Sequence, residues 1–203
     1  MKSIALVALG IAAVGMAYAA FQGAQQAPPR KSPVGKFPAK TLEDAKKQGH
    51  EIATFGGGCF WCTEDDFRRV KGIISTEVGY SGGHTKNPTY EEVCKHTTGH
   101  VECTKIEFDP KVINYEQVVR KFFQIHDPTQ GNRQGPDFGE QYRSVVFTHS
   151  DEQMKIANKV RDDVQKTLTK QITTTIEKAP IFYRAEEYHQ QYFEKKGITH
   201  GGG

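Results

Sequence analysis

The chain is expected to fold as an α+β sandwich of the split-βαβ, ferredoxin-like type, a mostly antiparallel sheet with helices packed on it. Three observations carry this expectation. Stretches that alternate apolar and polar residues interleave with stretches of helical spacing, in the order β-α-β-β-α-β-α-β. Glycine and proline turn signals separate several of them. With 203 residues, the chain is long enough for one domain with a substantial core.

Glu51 to Phe55 alternates and runs into Gly56-Gly57-Gly58, as a strand would. Cys59 to Val70 reads as a helix, with Phe60, Phe67 and Val70 spaced for one side. Ile73 to Tyr80 is β-rich and stops at Ser81-Gly82-Gly83. Val101 to Phe108 is a strand placing Glu102, Thr104, Ile106 and Phe108 on one face, and Pro110 ends it. Asn114-x-x-Gln117 opens a helix whose apolar face is Val118, Val119, Phe122 and Phe123. His126 to Arg143 has little periodicity, and a long irregular loop in a compact domain is often functional. Ser144 to Thr148 is a strand, and Ser150-x-x-Gln153 is a capping box for a helix reaching about Leu168. Ile172 to Ile176 is β-branched and expected as a strand; Glu186 to Lys196 is a final helix ended by Gly197.

The N-terminus differs from the rest. Lys2 is the only charge before Arg30, and Ile4 to Phe21 is dominated by small and aliphatic residues. Ala17-Tyr18-Ala19 has the small-x-small form of a signal-peptidase site, so residues 1–21 read as an export signal or, alternatively, a membrane anchor. Residues 22–40 hold Pro28, Pro29, Pro33 and Pro38 and read as an extended linker, leaving 41–200 as the catalytic domain. Export would place that domain in the periplasm or outside the cell. A net charge of +3 with both signs interspersed argues against a nucleic-acid partner, and no internal repeat is visible.

Cysteine chemistry dominates the candidate site. Cys59 and Cys62 enclose Phe60 and Trp61, the only Trp in the chain. Close thiols suit two-electron redox chemistry, and aromatic walls suit a small apolar group such as a methyl thioether. Cys59 lies at a strand-to-helix junction, where backbone N–H groups favour a thiolate and lower its pKa. Cys62, one helical turn on, can resolve an oxidised Cys59 as a disulfide. The alternative is a structural disulfide or an inert buried thiol, but so short a loop stabilises little. With Cys94 and Cys103 nine residues apart and no second Cys-x-x-Cys, no metal site is expected.

Glu102 at the start of its strand is either a solvated edge residue or a partly desolvated proton donor with a raised pKa. Asp137 and Tyr142 close the long loop and can orient a polar oxygen; read alone, they are an Asx-turn and a half-buried Tyr. His126-Asp127-Pro128 looks like part of a Cys/His/Asp hydrolase but more simply caps a helix. His189 reads as a packing or surface residue, Cys94 as buried, and Lys95, Lys105, Lys195 and Lys196 as solvated.

Together these segments resemble the peptide-methionine sulfoxide reductase A family. The resemblance is carried by Gly57-Gly58-Cys59-Phe60-Trp61-Cys62-Thr63-Glu64, Gly79-Tyr80-Ser81-Gly82-Gly83, Asn87-Pro88-Thr89-Tyr90 and Thr98-Gly99-His100-x-Glu102. It continues through Phe122-Phe123-x-x-His126-Asp127-Pro128-Thr129, Gln134-Gly135-x-Asp137-x-Gly139-x-Gln141-Tyr142-Arg143-Ser144 and Ala185-Glu186-x-Tyr188-His189-Gln190-Gln191-Tyr192. The stretches occur in family order over about residues 50–197. The resemblance implies that Cys59 attacks the sulfoxide sulfur and Glu102 protonates the oxygen. It implies that Tyr90, Tyr142 and Asp137 hold that oxygen and that Phe60 and Trp61 enclose the S-methyl. It further implies a thioredoxin-like reductant, no metal, no bound organic cofactor and a monomer. Some family members carry resolving cysteines near the C-terminus; residues 179–203 have none, so resolution falls to Cys62. Cys103 stands where the family is usually aliphatic, and strand alternation should turn it away from the site.

Two rival readings remain open at this point. One is a thioredoxin-like disulfide oxidoreductase, although there the Trp precedes the first Cys rather than lying between the two. The other is an exported binding module with structural disulfides Cys59–Cys62 and Cys94–Cys103.

Overall fold

A computed structural model describes residues 41–198. The expected signal or anchor at 1–21 and the linker at 22–40 lie outside the described residues. Among those described, no helix is long and apolar enough to cross a membrane.

Thr41 caps a short helix, α1 (Leu42–Lys47), through a reciprocal bond pair with Asp44, which the sequence reading had not assigned. It leads into β1 (Glu51–Gly56), followed by α2 (Phe60–Arg68), β2 (Ile73–Ser81) and β3 (Val101–Phe108). β1 pairs antiparallel with β3, and β3 antiparallel with β2. The two strands joined by α2 are therefore parallel, with β3 inserted between them, which is the split-βαβ arrangement. A short helix, α3 (Tyr90–Val93), lies between β2 and β3. Next come α4 (Tyr115–Gln124) and β6 (Val145–Thr148), the latter antiparallel on the free edge of β1. Between α4 and β6 a two-stranded hairpin, β4 (Arg133–Gln134) and β5 (Asp137–Phe138), interrupts the long loop. The six-stranded sheet is completed by β7 (Thr175–Lys178), parallel to β6, and β8 (Tyr183–Arg184), antiparallel to β2.

Alternation in the strands decides which side chains meet the helices. Phe55, Ile106 and Phe108 point to one face, where they pack with Phe67 of α2, Val118, Val119 and Phe122 of α4, and Ala157 and Val160 of α5 (Asp151–Gln165). Phe55 stacks between Phe67 and Phe122, with centroids 5.3 and 4.7 Å away. Replacing Phe122 by Ala would cost about 3–5 kcal/mol through lost burial and the cavity left behind. Val101, Cys103, Val145 and Phe147 face the other way and are covered by Ala179 and Phe182.

Five expectations need correction. Gln153 is only half a capping box: Ser150 accepts its N–H, but the Gln153 carboxamide bonds His149 N–H and Ile52 C=O. The helix it opens stops at Gln165, where the Gln165 side chain takes the Ile172 N–H and carries the turn. β7 begins three residues later than expected, because Ile172 is buried in the main core and Thr173 N–H bonds Pro128 C=O before sheet pairing starts. The final helix is broken into a 3-10 turn at Glu187–His189 and a short α6 (Tyr192–Lys196). Gln191 in the left-handed region (φ 49°) separates the two. Lys105 is not a solvated face either: it pairs with Glu77 at 2.5 Å and lies over the Phe182 ring.

Candidate active site

The site is assembled where β1 ends. Gly58 has φ +92°, and a Cβ there would lie 2.7 Å from Gln134 Cβ, so only glycine lets the β4–β5 hairpin lie against the loop. Gln134 bonds both the N–H and the C=O of Asp127, which ties the hairpin down. Cys59 follows as the N-cap of α2, with its carbonyl accepting from Cys62 N–H (3.1 Å) and Thr63 N–H (3.2 Å).

Glu102 reaches this helix mouth from β3, accepting the Phe60 N–H through Oε2 at 3.1 Å. It is 2 % exposed. Burial, helped by the nearby Cys59 and Asp137 charges and opposed by the Phe60 N–H, pushes its carboxyl well above the usual range. Thr104, two residues on, touches the Thr63 hydroxyl at 2.7 Å, so β3 and α2 are locked together beside the acid.

The structure corrects the expected Cys59 acidity. The Trp61 and Cys62 N–H groups do favour its anion, but the hydrogen bond with Cys62 and burial outweigh them and raise the thiol. Cys62 goes the other way, because it accepts that hydrogen bond from Cys59 and is lowered despite burial and the charges of Asp66, Asp137 and Asp65. The two thiols therefore titrate as a coupled pair, with Cys59 pushed up and Cys62 pushed down. All four cysteines are free.

The aromatic and polar residues expected here are brought to the same place. Phe60 is buried against Tyr80, and Trp61 is half-buried beside it. Tyr90, at the start of α3, has its phenol raised by burial and by donating to Cys94, with the charges of Glu102 and Tyr142 adding to the effect. Tyr142 is raised by burial and then by the charges of Glu102 and Asp137. Asp137, on β5, is raised by burial. Cys94 is half-buried rather than buried, and burial raises its thiol. Cys103 points to the opposite face of β3, as alternation predicts.

His126 is not placed for catalysis. Its ring stacks on Phe122, bonds Phe122 C=O and the Ser144 hydroxyl, and burial lowers it to about 4. The sequence reading overlooked Tyr80, Glu186 and the full role of His189. The Tyr80 hydroxyl donates to Glu186 Oε2 at 2.9 Å, and Glu186 Oε1 accepts the Tyr90 N–H at 2.9 Å. His189 takes the Trp61 indole N–H at 3.1 Å. The signal was present in Glu186-x-Tyr188-His189-Gln190-Gln191-Tyr192, a run too dense in polar and aromatic groups for an ordinary amphipathic helix.

This arrangement, a buried neutral acid beside a coupled thiol pair with aromatic walls, can protonate an oxygen while a sulfur attacks its neighbour. Comparison with known proteins gives the family. Residues 51–200 match the family model described as peptide methionine sulfoxide reductase. A peptide methionine sulfoxide reductase MsrA of Methanothermobacter thermautotrophicus is 56% identical over 148 residues, covering 72% of this chain and 88% of that protein. Mxr1 from Saccharomyces cerevisiae in its reduced form superposes with a TM-score of 0.72 at 37% identity, over 76% of this chain and 90% of the other. The structure of Mxr1 in complex with Trx2 is also similar, with a TM-score of 0.53 at 30% identity over 71% and 86% of the two chains.

Proposed function

The chain belongs to the peptide methionine sulfoxide reductase family, and on that premise we propose how its own residues reduce methionine S-sulfoxide, free or in oxidised proteins. The S-methyl group lies between Phe60 and Trp61, and the oxygen is held by Tyr90, Tyr142 and Asp137. Oxygen is a poor leaving group until protonated, and Glu102, kept neutral by burial, supplies the proton. Cys59 gives its proton to Cys62, to which it already hydrogen-bonds, as its sulfur attacks the sulfoxide sulfur. The attack joins the two sulfurs with the hydroxyl on the substrate sulfur; the S–O bond then breaks as the hydroxyl passes to the Cys59 sulfur, and the bond between the sulfurs breaks with it, releasing the methionine thioether and leaving Cys59 as a sulfenic acid. Cys62 then attacks Cys59 sulfur, forming the disulfide and releasing water, while Glu102 regains a proton from solvent. A thioredoxin-type dithiol reduces the Cys59–Cys62 disulfide, taking the oxidation onto itself.

The observation that carries this reading is the Phe60 N–H bond to Glu102, which places the acid one residue from the nucleophile. Reduction of an S-sulfoxide peptide tests it. Cys59→Ser should abolish reduction with every donor. Cys62→Ser should keep dithiothreitol-driven turnover but stop after about one turnover with thioredoxin, since no dithiol-accessible disulfide forms. Multiple thioredoxin-driven turnovers by Cys62→Ser would place the resolving thiol elsewhere.

For the N-terminus, the reading is export through residues 1–21, with 22–40 as a tether to the catalytic domain. It rests on the Lys2 charge, the apolar run to Phe21 and Ala17-Tyr18-Ala19. A mature protein beginning at Ala20 supports cleavage; one retaining Met1 in a membrane fraction supports the anchor. Intact protein in the cytosolic fraction removes export.

A further inference from the structure

The indole that walls the methyl pocket is held by a segment distant in sequence. Trp61 Nε1–H donates to His189 Nδ1 at 3.1 Å. One face of the indole lies on Tyr192, with centroids 3.9 Å apart and 10° between planes. The His189 ring also packs against Phe60 and Tyr90, at 5.2 and 4.5 Å, and is 1 % exposed.

A neutral imidazole that accepts at Nδ1 carries its proton on Nε2. That Nε2 is buried without a hydrogen-bond partner among the described residues, and Glu186 Oε2 lies 3.9 Å from it. Burial raises the Glu186 carboxyl, but the Tyr90 N–H, its own N–H and the Tyr80 hydroxyl outweigh it and keep the group ionised. A carboxylate on this side favours N–H at Nε2 and leaves the Nδ1 lone pair toward the indole. Burial also lowers His189, against the opposing charges of Glu186 and Glu91, which keeps the ring neutral.

The backbone on the far side of His189 is anchored independently. The Gln190 carboxamide bonds both the N–H and the C=O of Val78, at 3.0 and 2.9 Å. Gln191 N–H bonds Glu64 at 2.8 Å. His189 is thus delivered to Trp61 by a strap fixed to β2 and α2.

We infer that His189 is a positioning residue for the methyl pocket: its neutral imidazole, oriented by Glu186, holds the Trp61 indole against Tyr192 so that the pocket stands formed before substrate arrives. The benefit is preorganisation, since an indole already immobilised loses no rotamer freedom on binding. The inference rests on the methionine sulfoxide reading above.

Because Trp61 is the only Trp, fluorescence and the indole N–H resonance report on this one side chain. The experiment compares the wild-type chain, His189→Phe and His189→Asn, using an S-sulfoxide peptide with dithiothreitol. His189→Phe keeps a ring but removes the acceptor. It should raise KM about five- to tenfold, the worth of one hydrogen bond, with little change in kcat. Its indole emission should shift and become more accessible to acrylamide. His189→Asn places an amide oxygen near the Nδ1 position and should return KM and emission toward wild type. In the unmutated protein the indole N–H should exchange slowly with solvent, a test that needs no variant to fold. His189→Phe with wild-type KM and emission overturns the inference, as does a freely exchanging indole N–H. A wild-type chain inactive on sulfoxide overturns instead the reading on which the inference rests.

Discussion

Two buried carboxyl groups, Glu102 from β3 and Glu64 on α2, meet the helix that carries Cys62, and their surroundings differ. Glu102 is 2 % exposed and Glu64 is 1 % exposed. Burial raises both. Glu64, however, is surrounded by donors: the Thr76 hydroxyl at 2.8 Å, Gln191 N–H at 2.8 Å and the Gln191 carboxamide at 3.0 Å, with Arg68 also lowering it. Among the described residues Glu102 has the Phe60 N–H as its one donor, and it meets the charges of Cys59 and Asp137 instead. Burial therefore does not separate the proposed catalytic acid from the other, whereas the number of donors does. A carboxyl saturated with donors anchors the backbone around it; one left nearly bare in a closed site keeps its proton and can give it to substrate.

The comparison is broken most directly by removing each acid. Glu102→Gln should lower kcat/KM by about 10²–10⁴, the usual worth of general acid catalysis, while the chain stays folded. A Glu102→Gln enzyme of full activity would end the assignment. The same variant sharpens the pH dependence. The folded value of Glu102 lies above its ordinary 4.5, so its stabilising contribution is complete below that ordinary value and is lost as pH rises through the folded one. Glu102→Gln should therefore gain more stability over wild type at pH 7 than at pH 4, read from thermal unfolding at each pH. The rate of the first chemical step should fall in wild type as pH rises through the Glu102 value, and the variant should lack that fall.

Glu64→Ala should act on the fold instead. Stranding the donors of Gln191 and Thr76 costs about 1–3 kcal/mol for each left unsatisfied. Every kcal/mol lowers the Tm of a domain this size by about 2–4 °C. Reduction per folded molecule should fall far less than in Glu102→Gln, and a comparable fall would erase the distinction between the two acids. The smallest effect belongs to Cys103→Ala. Cys103 lies on the other side of β3 from Glu102, so thioredoxin-driven turnover should be unchanged.

How much was legible in the sequence follows from the range over which each signal acts. The strands β1 to β3 and helices α2 and α4 announced themselves because the period of a strand or helix is local and the caps lie within four residues. The C-terminal strap did not. Residues 186–196 have helical composition, yet Gln190 and Gln191 use their amides on β2 and on Glu64, more than a hundred residues back in sequence. No window contains both ends of those bonds. His189 is packed, as one of the two readings had it, but its hydrogen bond to Trp61 spans 128 residues and no window contains it.

The sequence by itself determined the split-βαβ order, the pairing of Cys59 with Cys62 around two aromatics, and the outward turn of Cys103, since all three depend on spacing along the chain. Only the tertiary structure decided the protonation of the site. It left Glu102 with the Phe60 N–H as its donor among the described residues, coupled the buried Cys59 to Cys62, and brought His189 to the indole. Those outcomes depend on which groups from separate elements share a space without water, and a pKa is set by that shared space rather than by a neighbour in sequence.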